Sequence, residues 1–253
     1  MKVNGGFSGR EGIVKKVIRN YNDPRFRKFI KHLGGLATMM DMEHWGDHDL
    51  NVACLSFLLA VAVDRPLVEC DRIGKAAYLH DLGKHAAWMK HLFAPGKGKH
   101  TPEEARERQE HGQAGVELFA LLLEELYEVG QERLRARLQH QLDARTIQLV
   151  NECQIYHDIP YVRGQKDIPL VGRICRIADA YDTMVAKNHC GRKYRKRKTD
   201  AQAREELLRC CGIDFDPDLV RLFLDLVLIP LQTKGRSFRP FKTAPTASTA
   251  RMN

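Results

Sequence analysis

The feature that most constrains this chain is an apolar run from Ile73 to Leu79 that ends in adjacent His80 and Asp81. The run brings a histidine and a carboxylate to one place, where both can ligate one metal ion and the second carboxylate oxygen can reach another. Lys84 follows after a glycine and supplies a fixed positive charge for an anionic substrate. The alternative interpretation is a helix end with a glycine stop and solvated charges.

Helical periodicity recurs along most of the chain, and we find neither an internal repeat nor a strand-period segment of any length. The strongest pattern lies between Asp41 and Val63, where Leu50, Cys54 and Phe57 begin a series of apolar residues at intervals of three and four. The fold class predicted from these patterns is all-α. Further helices are expected over residues 146–156, 170–186, 201–211 and 217–227.

Length and composition suit one large domain with an extension, because 253 residues with 43% hydrophobic content can form a sizeable core. We expect residues 1–40 to form a basic extension of one or two short helices that packs on a main domain at 41–230. Residues 231–253 are rich in Thr, Ser, Ala and Pro and predict a disordered tail.

The chain lacks 18 consecutive apolar residues, and its first residues lack the apolar core of a signal peptide. Its seven cysteines are scattered without a paired spacing and indicate reduced core thiols rather than a disulfide framework. A cytoplasmic protein without a membrane span is the expectation. The sequence leaves a homodimer or a separate regulatory protein open.

The net charge of +9 favours anionic partners but does not choose between a phosphorylated small molecule, nucleic acid and solubility alone. Much of the excess is local, because seven Lys and Arg residues lie between Lys187 and Lys198 with no acidic residue among them. A nucleic-acid partner therefore stays open beside a small substrate.

Further histidines and aspartates have the positions expected of metal ligands. His48 lies four residues after His44, so the two share one face of a helix. His111 opens another predicted helix, and Asp179 falls on a buried helical face, where a carboxylate is costly unless it is paired or metal-bound. Asp182, one turn further on, could orient a ligand histidine, or it could have a structural role as a cap or as the partner of a basic residue. The alternatives are satisfied polar groups at a core edge and a solvent-exposed histidine at a helix start.

The order of these residues resembles the HD-GYP subfamily of the HD phosphohydrolases over roughly Asp41 to Leu228. The matching motifs are His48, His80-Asp81-Leu-Gly-Lys84, His111-x-x-x-Gly115, His157-Asp158, Ile168-Pro169, Asp179-Ala-Tyr-Asp182, Arg192-Lys-Tyr-Arg195 and Gly212-Ile-Asp-Phe215-Asp216-Pro217. The resemblance implies an HD-domain helical bundle around a two-metal centre and a phosphodiesterase that hydrolyses cyclic di-GMP or a related cyclic dinucleotide.

The resemblance also implies roles for single residues. Asp81 falls on the bridging carboxylate, Lys84 on the lysine near the scissile phosphate, and Arg192 and Arg195 on the substrate-binding segment. The implied metal ligands are His48, His80, Asp81, His111, His157 and Asp179. Four imidazoles and two carboxylates suit two divalent transition-metal ions, with Fe or Mn expected first and Zn or Ni as alternatives. Two such ions can activate a bridging water as hydroxide.

Departures from the subfamily pattern limit what the resemblance implies. Tyr156 stands where the subfamily has the first histidine of a His-His-Glu motif, so one imidazole is missing. The Asp-Gly-x-Gly-Tyr-Pro loop is absent, and Asn188 to Gly191 are inserted before Arg192. His44 stands where some trinuclear members have a glutamate. We expect a binuclear centre with weakened affinity for the second ion.

These departures keep three other functions open. The chain could be an HD phosphohydrolase of another nucleotide, since the loop that names the subfamily is missing. It could be a degenerate module that binds a ligand or a protein without turnover. It could also bind or cleave nucleic acid, as the basic segment suggests.

Overall fold

The computed structural model describes residues 7–19, 23–39, 47–93, 99–128, 136, 141–162, 167–186 and 197–232. Within these ranges the chain forms helices and no strand, with one isolated bridge between Cys211 and Phe215. The all-α prediction is confirmed. None of the helices in these ranges is long and apolar enough to span a bilayer.

Twelve α-helices are defined in the described residues. They are α1 (Phe7–Arg19), α2 (Pro24–Met39), α3 (Asp47–Ala62), α4 (Leu67–Tyr78), α5 (Lys90–Phe93), α6 (Pro102–Gln109), α7 (His111–Glu128), α8 (Ala144–Tyr156), α9 (Leu170–Val185), α10 (Asp200–Arg209), α11 (Pro217–Leu222) and α12 (Ile229–Gln232). A 3₁₀ turn spans Leu82–His85, and a π-helical segment, Phe223–Leu228, connects α11 to α12.

Helix α3 is the centre of the bundle and packs against α4, α9 and the π-helical segment. Every residue from Val52 to Ala62 is buried. The sequence predicted a helix here from apolar residues at intervals of three and four, and the structure buries every face of that helix over residues 52–62. Neighbouring helices cover α3 on all sides, which explains why its apolar residues are nearly continuous rather than periodic.

The two N-terminal helices join the same core. Two separate helices form here, because α1 ends at Arg19 and α2 begins at Pro24. Phe29 of α2 stacks on Phe57 of α3 with ring centroids 4.6 Å apart, and Phe26 contacts Phe57 at 6.1 Å. These helices contribute apolar side chains to the main core.

Three glycines allow α7 to approach its neighbours at backbone distance. A Cβ at Gly83 would lie 1.8 Å from the carbonyl oxygen of His111, and a Cβ at Gly112 would lie 2.5 Å from that of Gln154. At Gly115 a Cβ would lie 1.7 Å from Gln154 Oε1. Side chains at these positions would separate α7 from the 3₁₀ turn and from α8. The glycines therefore hold the start of α7 next to the ends of α4 and α8.

Several predicted features lie outside the described residues. They include His44, the inserted residues Asn188 to Gly191, both arginines of the substrate-binding segment (Arg192 and Arg195), and the tail beyond Gln232. The predicted domain end at residue 230 falls inside α12. Of the cysteines that the structure describes, five are buried and unpaired, which agrees with reduced core thiols.

Candidate metal centre

The six predicted ligands meet at one place, although they come from five parts of the chain. His48 lies in the first turn of α3, and Asp179 lies in α9. His80 and Asp81 follow the end of α4, His111 begins α7, and His157 follows the end of α8. Of these six, His80, Asp81, His111 and His157 are buried.

Three of the histidines lie within two residues after the end of a helix, and the carbonyl groups of that helix end fix their rings. The last carbonyl groups of a helix lack intrahelical donors, and each of these histidines donates its Nδ1–H to one of them. Because a carbonyl only accepts, Nδ1 carries the proton and Nε2 presents its lone pair to the centre. The Nδ1–O distances are 2.8 Å from His80 to Ala77, 2.8 Å from His111 to Arg108, and 3.0 Å from His157 to Cys153.

His48 is oriented by a carboxylate instead. Its Nδ1 lies 2.7 Å from Asp182 Oδ2, and Asn51 donates to the other oxygen of Asp182 at 2.9 Å. The contact that the sequence predicted between Asp182 and a histidine is present. It directs His48 Nε2 toward Asp179 Oδ1, which lies 3.1 Å away.

The donor atoms form two sets that share Asp81. In the first set, His80 Nε2 lies 3.3 Å from Asp81 Oδ2 and 3.9 Å from Asp179 Oδ1, which in turn contacts His48. In the second set, Asp81 Oδ1 lies 3.5 Å from His111 Nε2 and 3.5 Å from His157 Nε2, and these two nitrogens are 3.2 Å apart. Each oxygen of Asp81 therefore faces a different set.

Both sets fit a metal ion, because their donor atoms have a suitable spacing and each set contains a buried donor atom without a hydrogen-bond partner in the described part of the chain. Donors bound at about 2.1 Å lie about 3.0 Å apart in an octahedron and about 3.4 Å apart in a tetrahedron. His80 Nε2 and Asp81 Oδ1 are buried and have no hydrogen-bond partner among the described residues. The lone pairs of His111 and His157 also face each other, which requires a proton or a cation between them. Two groups of donors are spaced closely enough to hold a metal ion: His48, Asp49, His80 and Asp81 form one, and Asp81, His111 and His157 form the other.

The carboxylates make the centre attractive to positive charge. Burial opposes a charge on His80, but the carboxylates of Asp81, Asp179 and Asp49 together outweigh it and raise the pKa of His80 to about 9. Burial is likewise outweighed at His48, whose pKa is raised by its hydrogen bonds to Asp179 and Asp182. The same field that stabilises a proton on these rings stabilises a metal cation in its place.

Cationic and aromatic side chains lie beside the centre. The ammonium of Lys84 pairs with Asp81 and lies 5.6 Å from the ring centre of Phe93. The guanidinium of Arg108 lies 5.1 Å from the same ring, and Phe93 contacts His111 edge-on at 6.0 Å. Phe93 ends α5, within the polar connection after Lys84. That connection thus brings an aromatic ring and a second cation to the rim of the centre.

Two carboxylates near the centre were missed by reasoning from the sequence. Asp49 is buried and lies 3.9 Å from His80 Nδ1. Asp158 Oδ2 lies 3.5 Å from His111 Nε2. Both directly follow a predicted ligand histidine, just as Asp81 follows His80. That repeated His-Asp adjacency was the signal that could have identified them.

Comparison with known proteins gives one family and three relatives. The family model described as HD domain matches residues 45–184. The chain is 33% identical over 180 residues to the 3'3'-cGAMP-specific phosphodiesterase 2 of Vibrio cholerae serotype O1, an alignment that covers 71% of this chain and 31% of that protein. It is 27% identical over 218 residues to the cyclic di-GMP phosphodiesterase of Thermotoga maritima, covering 85% of this chain and 53% of the relative.

The third relative is a probable cyclic di-GMP phosphodiesterase of Vibrio cholerae serotype O1, 30% identical over 156 residues. That alignment covers 61% of this chain and 32% of the relative. The chain thus spans between about a third and about half of the length of the relatives it matches. The family match includes every histidine and aspartate of the two donor sets.

Proposed function

Because the chain belongs to the HD domain family, we propose that it is a metal-dependent phosphodiesterase that hydrolyses cyclic di-GMP or a related cyclic dinucleotide. The observation that carries the proposal is the arrangement around Asp81, whose two oxygens face two separate sets of imidazole nitrogens. One carboxylate shared by two donor sets is the arrangement expected of a two-metal phosphoesterase.

The proposed ligands are His48, His80, Asp81 and Asp179 for one ion and Asp81, His111 and His157 for the other. Mixed imidazole and carboxylate donors suit Fe(II) or Mn(II), with Zn(II) or Ni(II) as alternatives. When bound, such ions supply Lewis acidity and lower the pKa of a coordinated water. The protein fixes the donors beforehand, because the helix-end carbonyls and Asp182 hold each ring in the tautomer that metal binding needs.

Lys84 is the proposed electrostatic group of the reaction. Burial opposes its charge, but Asp81 and Asp179 outweigh burial and raise the pKa of Lys84, so the ammonium stays protonated. Its side chain is 29% exposed and can therefore meet a substrate. An ammonium in this position stabilises the negative charge that develops on the phosphoryl oxygens in the transition state.

The surroundings support a small phosphorylated substrate. Arg108 and Phe93 add a cation and a stacking surface at the rim, which match the phosphate and base of a nucleotide. Two cations of the basic segment fall in described residues, and both contact the protein itself. Arg197 donates to the carbonyl of Val185 at 2.6 Å, and Lys198 pairs with Glu206 at 3.2 Å. Both side chains thus make contacts within the fold.

The test combines metal content with turnover on one sample. Protein loaded with Fe(II) or Mn(II) is assayed for conversion of cyclic di-GMP and of 3'3'-cGAMP to linear products. We expect about two ions per chain and turnover that disappears in Asp81→Ala. Lys84→Gln should lower kcat by about 10²-fold to 10³-fold, the usual effect of losing one donor to a transition-state anion.

Lys15→Gln is the matched control, because Lys15 is a half-exposed lysine of α1 that pairs with Glu11. It should leave kcat unchanged. Turnover that survives Asp81→Ala would contradict the proposed centre. Two bound ions with no conversion of either dinucleotide would instead direct the search to another nucleotide or to a module without turnover.

A further inference from the structure

The second donor set has a fourth member that the predicted ligands do not include. Asp158 Oδ2 lies 3.5 Å from His111 Nε2 and 3.8 Å from His157 Nε2. The same two nitrogens lie 3.5 Å from Asp81 Oδ1. Around the pair of imidazoles there are therefore two carboxylate oxygens at similar distances, close to the separation of about 3.4 Å between donors of a tetrahedral ion.

The backbone directs Asp158 toward the imidazoles. His157 caps α8, and the amide of Ile159 then donates to the carbonyl of Tyr156 at 3.2 Å, which forms a tight turn. Asp158 sits inside that turn, directly after a buried histidine of the set. Its side chain is 60% exposed, so it lies at the solvent side of the set, opposite the buried Asp81.

The two oxygens of Asp158 have different neighbours. Oδ1 lies 4.0 Å from Arg176 Nη1, while Oδ2 faces the imidazoles. Arg176 is itself fixed, since it donates to the carbonyl oxygens of Asp214 at 2.9 Å and of His157 at 3.4 Å. At 4.0 Å the guanidinium attracts Oδ1 by charge without a hydrogen bond, and Oδ2 is left facing the imidazoles.

We propose that Asp158 is a ligand of the second metal ion, where it offsets the imidazole that is missing at Tyr156. The inference rests on the proposed function, because it concerns the same centre. A carboxylate in place of an imidazole adds a negative charge and an oxygen donor, which favours harder divalent ions such as Mn(II) over Zn(II). The replacement at Tyr156 would then change the ligands of the second metal site rather than remove that site.

The experiment measures metal binding without turnover. Metal-stripped protein is titrated with Mn²⁺ by calorimetry, and the spin coupling of the bound pair is followed by electron paramagnetic resonance. We expect two ions in the unsubstituted protein. Asp158→Asn should lower the affinity for the second ion at least tenfold and remove the spin-coupled signal. The affinity for the first ion should not change. Asp158→His, which supplies an imidazole, should restore the second ion.

The matched control is Asp218→Asn. Asp218 is an exposed aspartate of α11 that lies 3.6 Å from Arg221, and its substitution should leave both ions unchanged. Equal affinity for the second ion in Asp158→Asn and the unsubstituted protein would overturn the inference, as would a single ion in the unsubstituted protein. Because Asp158 is largely exposed, its substitution should leave the circular dichroism spectrum and the Tm of the metal-stripped protein unchanged.

The inference and the proposed function fail in different ways. If Asp158 controls the second ion but no cyclic dinucleotide is hydrolysed, the function is wrong and the ligand assignment stands. If the dinucleotides are hydrolysed and Asp158→Asn binds both ions normally, the ligand assignment is wrong and the function stands.

Discussion

Replacing Gly83 with alanine tests whether the close approach of α7 to the 3₁₀ turn builds the metal centre. A Cβ at Gly83 would lie 1.8 Å from the carbonyl oxygen of His111 and 2.6 Å from the amide nitrogen of Gly115. Ordinary contact begins at 3.4 Å, so the two segments would have to separate by about 1.6 Å. Both obstacles are backbone atoms, and no side-chain rotation can relieve them.

The expected loss follows from this geometry. Overpacking that side chains can absorb costs about 1–3 kcal/mol, and a clash between backbone segments belongs at the upper end, about 3 kcal/mol. With an m-value of about 3 kcal/mol/M for a chain of this size, the urea midpoint should fall by about 1 M. The separation also moves His111 away from Asp81, so affinity for the second ion should fall more than tenfold.

The assay is urea unfolding followed by circular dichroism, with Mn²⁺ titration of the folded protein. Gly12→Ala is the matched control, because Gly12 lies inside α1 and a Cβ there meets nothing within 4 Å. The same added methyl group should raise stability at Gly12 by up to about 1 kcal/mol, since alanine favours a helix more than glycine. An unchanged urea midpoint and normal binding of both ions in Gly83→Ala would refute the reasoning.

Three further predictions concern the metal centre and Asp143, the N-cap of α8. Asp182→Asn removes the charge that orients His48. In the same titration it should lower the affinity for the first ion by about 10-fold to 100-fold and leave the affinity for the second ion unchanged. Chelation of bound metal should lower the Tm by several degrees, and Mn²⁺ should restore it except in Asp81→Ala, because ligands that bind only the folded state stabilise it. Burial raises the pKa of Asp143, but hydrogen bonds from Arg72 and Thr146 outweigh it and lower that pKa to about 2 from 3.8. The resulting stability is present above pH 3.8 and is lost toward pH 2, so Asp143→Asn should show a shallower fall of the urea midpoint over that range.

The helices were predictable because their signals are local. Pro24 ends the first helical pattern and begins α2, and Pro160 follows α8. Thr101 and Glu104 form the capping box that starts α6, within the polar connection between Lys84 and His111. That connection contains α5 and α6, which are short and polar and therefore lack the apolar periodicity that marks a longer helix.

The candidate metal ligands were easier to identify from the sequence than the groups that orient them. His48, His80 and His157 each precede an aspartate, and their order along the chain carries the resemblance to a known family. The groups that orient His80, His111 and His157 are backbone carbonyls at helix ends, which have no residue signature. The contact between Gly83 and His111 depends on how α7 docks, so the sequence showed a conspicuous glycine but not the atom that excludes a side chain. Side-chain identity predicts donors, whereas the distances between them come from packing.

The helix ends connect the stability of the bundle to its chemistry. His80 and His157 each cap the helix they follow, and the capping hydrogen bond is the one that turns Nε2 toward the centre. A helix C-terminus also carries a partial negative charge, so the ends of α4 and α8 add to the carboxylates in favouring cations there. Replacing either histidine with glutamine therefore separates the two roles. The amide can still donate to the helix-end carbonyl, but it cannot also present an imidazole nitrogen, so folding should persist while metal affinity is lost.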